Sequence, residues 1–322
     1  MINIPYPSQK LLDTFFDNVK VEILKRINAV VNSKTISVDS QNIRVTKQIK
    51  NILNWLYIEK NLKKFLLAKP NDIIKIISYI EIHFKKARYS KEALNKIFFR
   101  IFVDYGYNKL DKLKFIKNIN LGSCPYCNRN YIFSINKRGS VKPEIDHFYP
   151  KSLYPYLSIS YFNLIPSCPT CNGFGAKEGK DTFYVYPIHN PYTLKEVDFK
   201  FSILPLNVDF YNSVEKEKYN YDNFEIELYG NKSNLDVFKL VELYKQHKDI
   251  VLELLIKKTY YPKSYIEELK RFGFSKDEIY RYLLCNYSKD EELHKRPLSK
   301  LIKDISEELE ILDEYWKKNK FK

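Results

Sequence analysis

The chain has a single Met, two Trp and only eight Gly in 322 residues, and nowhere does it run to 18 consecutive apolar residues. The last absence excludes a membrane-spanning helix of ordinary length. Near the N-terminus stand Pro5 and Pro7, with no basic segment leading into an apolar run, so the layout of a secretory signal is missing and a soluble, cytoplasmic protein with no membrane partner is expected. Five Cys are too few for a disulfide framework, and an odd count in a reducing compartment points to metal binding or free thiols. No Walker-type phosphate loop occurs, so any nucleotide-driven step has to come from another protein. Arginine is scarce too: 9 of the 54 basic residues are Arg.

Hydrophobic residues make up 44% of the chain and aromatics 16%, enough for one large core or two modest ones, which excludes disorder. The formal net charge of +15 makes a polyanion the first partner to consider. A Lys-, Asn- and Ile-rich composition produces such a charge without selection for binding, so its distribution is more informative than its sum. Residues 1–120 carry 23 basic and 10 acidic side chains, residues 121–192 carry 7 and 4, and residues 193–322 carry 24 and 25. The excess lies mainly in the first third.

Apolar residues at helical spacing from Leu11 to Val31, after Ser8 as a cap, predict an amphipathic helix. Further helices are expected over about 43–67, 71–87 and 90–105, making residues 1–120 a basic helical region. From Gly122 short β-type runs, turn residues and four of the five Cys appear, marking residues 121–192 as a separate α+β module. Residues 193–322 offer two strand-like runs, Phe199–Leu206 and Phe224–Tyr229, then a helix from Ser233 through the 250s. Breaks at Pro262, Gly273 and Pro297 follow, and a last amphipathic stretch runs from Ser299 to Trp316. The fold class is mainly α with a small α+β module.

Cys124-Pro-Tyr-Cys127 and Cys168-Pro-Thr-Cys171 are two C-x-x-C pairs separated by forty residues. A two-residue gap lets one tight knuckle aim two thiolates at a single ion, and two knuckles complete a tetrahedral zinc shell, so one structural Zn2+ per chain is expected rather than a redox pair. Cys285, beside Tyr282, Leu283 and Leu284, reads as an inert core thiol.

Between the knuckles lie Glu144-Ile145-Asp146-His147-Phe148-Tyr149-Pro150-Lys151 and Asn163-Leu164, and Asn172 follows the last knuckle Cys. Asp146 is an oxygen donor suited to a hard divalent cation, and His147 takes a proton near neutral pH; together they can build metal-assisted hydrolysis. Asn163 suits a turn and Asn172 a helix cap, each as an alternative to a role in the site.

This series of residues resembles the zinc-knuckle HNH endonucleases over about residues 122–192. The wording Cys-Pro-Tyr-Cys-Asn-Arg and Ile-Asp-His-Phe-Tyr-Pro-Lys-Ser is similar to HNH proteins of bacterial anti-phage systems, including the HNH component of Septu systems, which works beside an ATPase. The resemblance implies a ββα-metal core closed by the four-Cys zinc site and flanked by helical regions. It implies a metal-dependent endonuclease for nucleic acid, DNA favoured, in antiviral defence, with a partner ATPase. By that similarity His147 is the general base and Asn163 orients it. Asp146 and Asn172 hold Mg2+ or Mn2+. Glu144, Lys177 and His189 are candidates for secondary contacts to metal or substrate, although Lys177 comes two residues later after Cys171-Asn172 than in many members of the family.

Lysines of the first third, among them Lys63, Lys64, Lys85, Lys86, Lys112, Lys114 and Lys117, together with Arg88, can contact phosphates without reading sequence, although each can equally be part of a solvated helix face. Two readings of other classes compete: a non-cleaving, zinc-stabilised nucleic-acid-binding module, and an interaction scaffold for a partner ATPase. His83, His247 and His294 lie in helical contexts with no partnering motif.

Overall fold

The computed structural model describes residues 1–38, 40–86, 91–135, 142–173, 175–211 and 220–312; for 83–86 and 91–93 it describes the backbone alone. Arg88 and the expected end of the last helix at Trp316 lie outside these residues, as do the side chains of His83, Lys85 and Lys86. Among the described residues the architecture is mainly helical with three small two-stranded sheets. It divides into two compact units, with boundaries after residues 120 and 192 and two more after residues 4 and 133. One comprises Pro5–Asn120 with Ser134–Tyr192, the other Met1–Ile4 with Leu121–Phe133 and Thr193–Lys322.

The first unit opens with α1 (Gln9–Val31), whose N-terminus is capped by the Ser8 hydroxyl accepting from the Leu11 amide at 3.3 Å. Leu12, Phe15, Phe16, Val19, Ile23, Ile27 and Val30 recur on one face and are buried, each large side chain contributing about 1.5–3 kcal/mol by leaving water. An antiparallel hairpin follows, β1 (Thr35–Val38) with β2 (Gln41–Arg44), in register Thr35 to Arg44. The helix expected over 43–67 is therefore shorter and in two parts, α2 (Lys47–Tyr57) and α3 (Glu59–Leu66), divided where Ile58 is extended at ψ 113°. Next come α4 (Pro70–Lys86) and α5 (Lys91–Phe98), the latter running into a π-helical stretch, Phe99–Asp104. After Gly106, α6 (Lys112–Ile119) is capped by Asp111 and ends at Asn120 in the left-handed conformation, φ 55°.

Residues 134–192 join this unit through aromatic packing. The ring of Phe15 meets Tyr161 edge-on at 5.1 Å, Phe98 meets Tyr156 at 5.8 Å, and Tyr6 lies 5.5 Å from Phe162. Such pairs stabilise beyond their buried area. This shared core places residues 134–192 in the same unit as residues 5–120. The segment contributes β3 (Glu144–His147), antiparallel to β4 (Leu164–Ser167), and the one-turn α7 (Pro169–Asn172).

In the second unit β5 (Phe199–Pro205) pairs antiparallel with β6 (Phe224–Gly230), close to both expected runs. Helix Ser299–Glu308 packs against β5. Asp304 of that helix accepts the Phe201 amide at 2.9 Å and holds Lys300 at 2.7 Å. The single helix expected from Ser233 is instead three pieces, Lys232–Val237, Leu240–Tyr244 and Lys248–Tyr260: Lys239 takes φ 52° and interrupts the ladder at the first break, and a 3-10 turn, Lys245–His247, makes the second. Helices Lys263–Arg271 and Lys276–Leu284 follow on either side of Gly273, whose φ of 90° suits glycine. Cys285 is not a core thiol: it ends the second of these helices at φ 52°, which turns its side chain out to solvent.

Residues 121–133 pack into this unit. Tyr126 stacks on Phe238 with ring centres 4.4 Å apart, and the Tyr244 hydroxyl donates to the Cys127 carbonyl at 2.5 Å. Asn128, fully buried at φ 52°, is held by several side-chain hydrogen bonds. Its Nδ2 donates to Ser123 Oγ at 2.9 Å and to the Leu293 and Arg296 carbonyls at 3.3 Å; its Oδ1 accepts from Ser299 Oγ and the Lys300 amide at 3.0 Å. Alanine there strands several buried polar partners. Asn128→Ala is expected to lower unfolding free energy by about 3 kcal/mol or more in urea titration; a loss below about 0.5 kcal/mol would show that the network is idle.

Candidate functional site

The zinc-ligand candidates sit in two tight turns. In the first, the Asn128 amide bonds the Cys124 carbonyl at 2.7 Å and the Arg129 amide points at Cys127 Sγ at 3.4 Å. Gly122 precedes it where a Cβ would come within 2.9 Å of the His294 and Lys295 carbonyl oxygens, so only glycine fits. In the second, Pro169 starts α7, and the Cys171 and Asn172 amides both bond the Cys168 carbonyl at 3.1 Å. All four Cys are buried and their sulfurs lie within 4.8 Å of one another. A tetrahedral zinc with Zn–S bonds near 2.3 Å sets sulfurs about 3.8 Å apart. The donor set therefore fits a metal such as zinc.

Asp146 and His147 end β3, opposite Ile165 and Leu164 of β4, and both are buried. The partner of Asp146 is Lys177: its ammonium lies 2.8 Å from Asp146 Oδ1 and 2.6 Å from the His147 carbonyl, with no exposure to solvent. Lys177 is thus tied to the strand that carries the two candidates. The motif had suggested metal or substrate contacts for it, and the carboxylate partner is visible only in three dimensions.

The His147 ring is held on two sides. Its Nε2 lies 3.1 Å from the Ser158 carbonyl, and its face meets the Tyr107 ring at 4.4 Å, edge-on. A carbonyl can only accept, so Nε2 carries the proton and Nδ1 keeps its lone pair. Among the described residues Nδ1 has no hydrogen-bond partner. Burial, reinforced by the charge of Lys151, pushes the imidazole pKa down to about 3, so the ring is neutral at physiological pH.

Asn163 is fully buried and cross-links the loop that follows His147. Its Oδ1 accepts from the Tyr149 amide at 2.7 Å, and its Nδ2 donates to the Tyr149 and Leu157 carbonyls at 3.2 and 3.0 Å. Its own carbonyl accepts the Phe148 amide at 2.8 Å. It reaches His147 through the backbone rather than through its ring. Asn172 Nδ2 donates to Glu144 Oε2 at 2.8 Å, which leaves the amide oxygen of Asn172 as a separate donor atom beside the first residue of β3. His189 is exposed. His247 accepts from Arg129 Nε at 2.9 Å.

Two residues in this neighbourhood went unrecognised in the sequence. Tyr107 stands forty residues before His147, and Asn128 looks like an ordinary residue after a knuckle. Only the neighbouring Cys-Asn spacing marks Asn128, and nothing local marks Tyr107.

The comparisons are narrow. The chain is similar to the Septu protein PtuB of Bacillus thuringiensis, 46% identical over 48 residues, a stretch covering 15% of this chain and 18% of that protein. No family model matches the chain and no solved structure matches it. No helix among the described residues is long and apolar enough to cross a membrane.

Freshly purified protein is expected to hold one zinc per chain by elemental analysis, and Cys168→Ser to lose most of it with a fall in melting temperature of several degrees. Full metal retention by Cys168→Ser would contradict the four-thiolate site.

Proposed function

We propose that the chain is a nuclease of the HNH kind, hydrolysing phosphodiester bonds of nucleic acid, DNA favoured, as part of defence against phage. The observation that carries this reading is His147: a neutral imidazole with Nε2 anchored on a backbone carbonyl and Nδ1 left to accept a proton, at the end of a strand whose neighbouring residue is a buried carboxylate. A general base needs that tautomer and orientation. The short similarity to a Septu protein supports the defence setting.

In this reading His147 Nδ1 removes the proton of the attacking water while the Ser158 carbonyl stabilises the imidazolium through Nε2–H. Asn163 keeps the loop after His147 in register with β4, so the ring does not swing away. Glu144 and Asp146 stand two residues apart on β3, and Asn172 of α7 bonds Glu144; these oxygen donors, suited to Mg2+ or Mn2+, would hold the ion. Such an ion supplies charge neutralisation at the phosphate and the leaving oxygen. The zinc site is structural in this scheme, since four thiolates leave no open coordination position.

One observation favours a rival reading in which the module grips nucleic acid without cutting it. Asp146 already has a buried ammonium as its counter-ion, which reduces its pull on a second cation. Cleavage assays separate the two. Plasmid and linear DNA, and RNA in parallel, are incubated with wild-type or His147→Ala protein, with Mg2+, Mn2+ or EDTA. The nuclease reading predicts cleavage by wild type in metal, a loss of at least about a hundredfold in His147→Ala, and none in EDTA. Cleavage that survives His147→Ala overturns it, and so does the absence of cleavage by wild type in the company of its neighbouring gene products.

A further inference from the structure

Beside His147 lies a group of side chains for which neither the motif nor the similarity assigns a role. Tyr107 is 8% exposed, and its ring packs edge-on against the imidazole at 4.4 Å. Two ammonium groups sit over the same tyrosine ring, Lys112 Nζ at 4.4 Å and Lys151 Nζ at 5.4 Å from its centre. Lys112 comes from the first turn of α6 and Lys151 from the loop after β3, so distant parts of the chain bring them together.

The cluster is positive and lacks counter-charge. Among the described residues neither lysine makes an ion pair, and the Tyr107 hydroxyl has no hydrogen-bond partner although the side chain is nine-tenths buried. The nearest carboxylate along the strand, Asp146, is occupied by Lys177. Lys142 is close enough to add to the repulsion: burial first, then Lys142 and Lys151, lowers the Lys112 pKa from its ordinary value. Cations packed together in a partly desolvated place with an idle hydroxyl donor are stabilised most by an anion with several oxygen acceptors. Cation–π contact with one ring holds both ammonium groups in position meanwhile.

We propose that Tyr107, Lys112 and Lys151 form a phosphate site that holds the nucleic-acid backbone against His147. The choice of nucleic acid as ligand rests on the nuclease reading; the anion site itself rests on the cluster. Lys112 and Lys151 neutralise a backbone phosphate, and the Tyr107 hydroxyl donates to one of its oxygens. These contacts fix register along the strand and carry no base sequence. Tyr107 has a second effect, because its ring supports the imidazole: the residue that senses the phosphate also positions the base.

The test measures binding separately from cleavage. Fluorescence anisotropy of a short fluorescein-labelled DNA duplex is recorded over a range of NaCl concentrations, with His147→Ala protein as the parent so that the probe stays intact. Lys112→Gln/Lys151→Gln in that parent is expected to weaken binding about tenfold or more at low salt. It should also flatten the slope of log affinity against log salt by about 1.8, close to 0.9 for each phosphate charge no longer neutralised. Lys112→Arg/Lys151→Arg keeps the slope, and Tyr107→Phe weakens binding with the slope unchanged. Equal zinc content and melting temperature across the variants exclude misfolding as the cause. An unchanged affinity and slope in the double Gln variant overturns the site, as does a parent that binds no DNA. Failure of cleavage with lysine-dependent binding intact removes the nuclease reading and leaves the phosphate site standing; cleavage by wild type with lysine-independent binding does the reverse.

Discussion

An ammonium group with no access to water has to be bonded or it unfolds the structure around it, and Lys177 meets that condition with two partners, the Asp146 carboxylate and the His147 carbonyl. Removing one partner of such a pair commonly costs about 3–5 kcal/mol, because the other charge stays buried and alone. The end of β3 is therefore pinned in place. Everything proposed for the site depends on that: the direction of the Asp146 carboxylate, the carbonyl from which the His147 ring hangs, and the position of that ring between Ser158 and Tyr107. Buried ion pairs contribute weakly to net stability, and orientation is the better account of this one.

Around the pinned strand end the fold supplies three kinds of support. Asn163 ties the following loop back to itself with three side-chain hydrogen bonds. Thr182 donates to the Phe148 carbonyl, adding a tether one residue beyond His147. Aromatic rings fill the rest, with Tyr149 edge-on to Phe148 and to Tyr154. A strand of four residues paired to another of four is too small to be rigid alone, and the network of bonds to side chains takes the place of a wider sheet.

Much of the candidate site is legible in the sequence because its spacing is local. Two residues between cysteines define a knuckle, and Asp146-His147 with Asn163 keep their order along one short segment. Asn172 is visible for the same reason. What is hidden depends on long-range contact or on single backbone angles. Tyr107 and Lys112 reach His147 from before the module begins, so no window of sequence contains both. Lys177 meets Asp146 only after the turn beyond α7 has formed. In the fold, α1 follows from its periodicity and Ser8 cap, and β5 and β6 from alternation. Hairpin β1–β2 is concealed because its four-residue strands are joined through a turn with Ser40 at φ 61°, which no Gly marks. The interruption at Lys239 has the same origin: a lysine takes the left-handed conformation that glycine usually announces.

In the proposed nuclease, the oxygen donors of β3 and α7 would take a hard divalent cation in spite of Lys177. Mn2+ titrated into zinc-replete protein and followed by the paramagnetic resonance of the free ion counts such sites directly. The account predicts one Mn2+ bound per chain by the wild type, lost in Asp146→Asn and tightened in Lys177→Gln. Wild-type protein that binds no Mn2+, or Asp146→Asn protein that binds it as well as wild type, would contradict it.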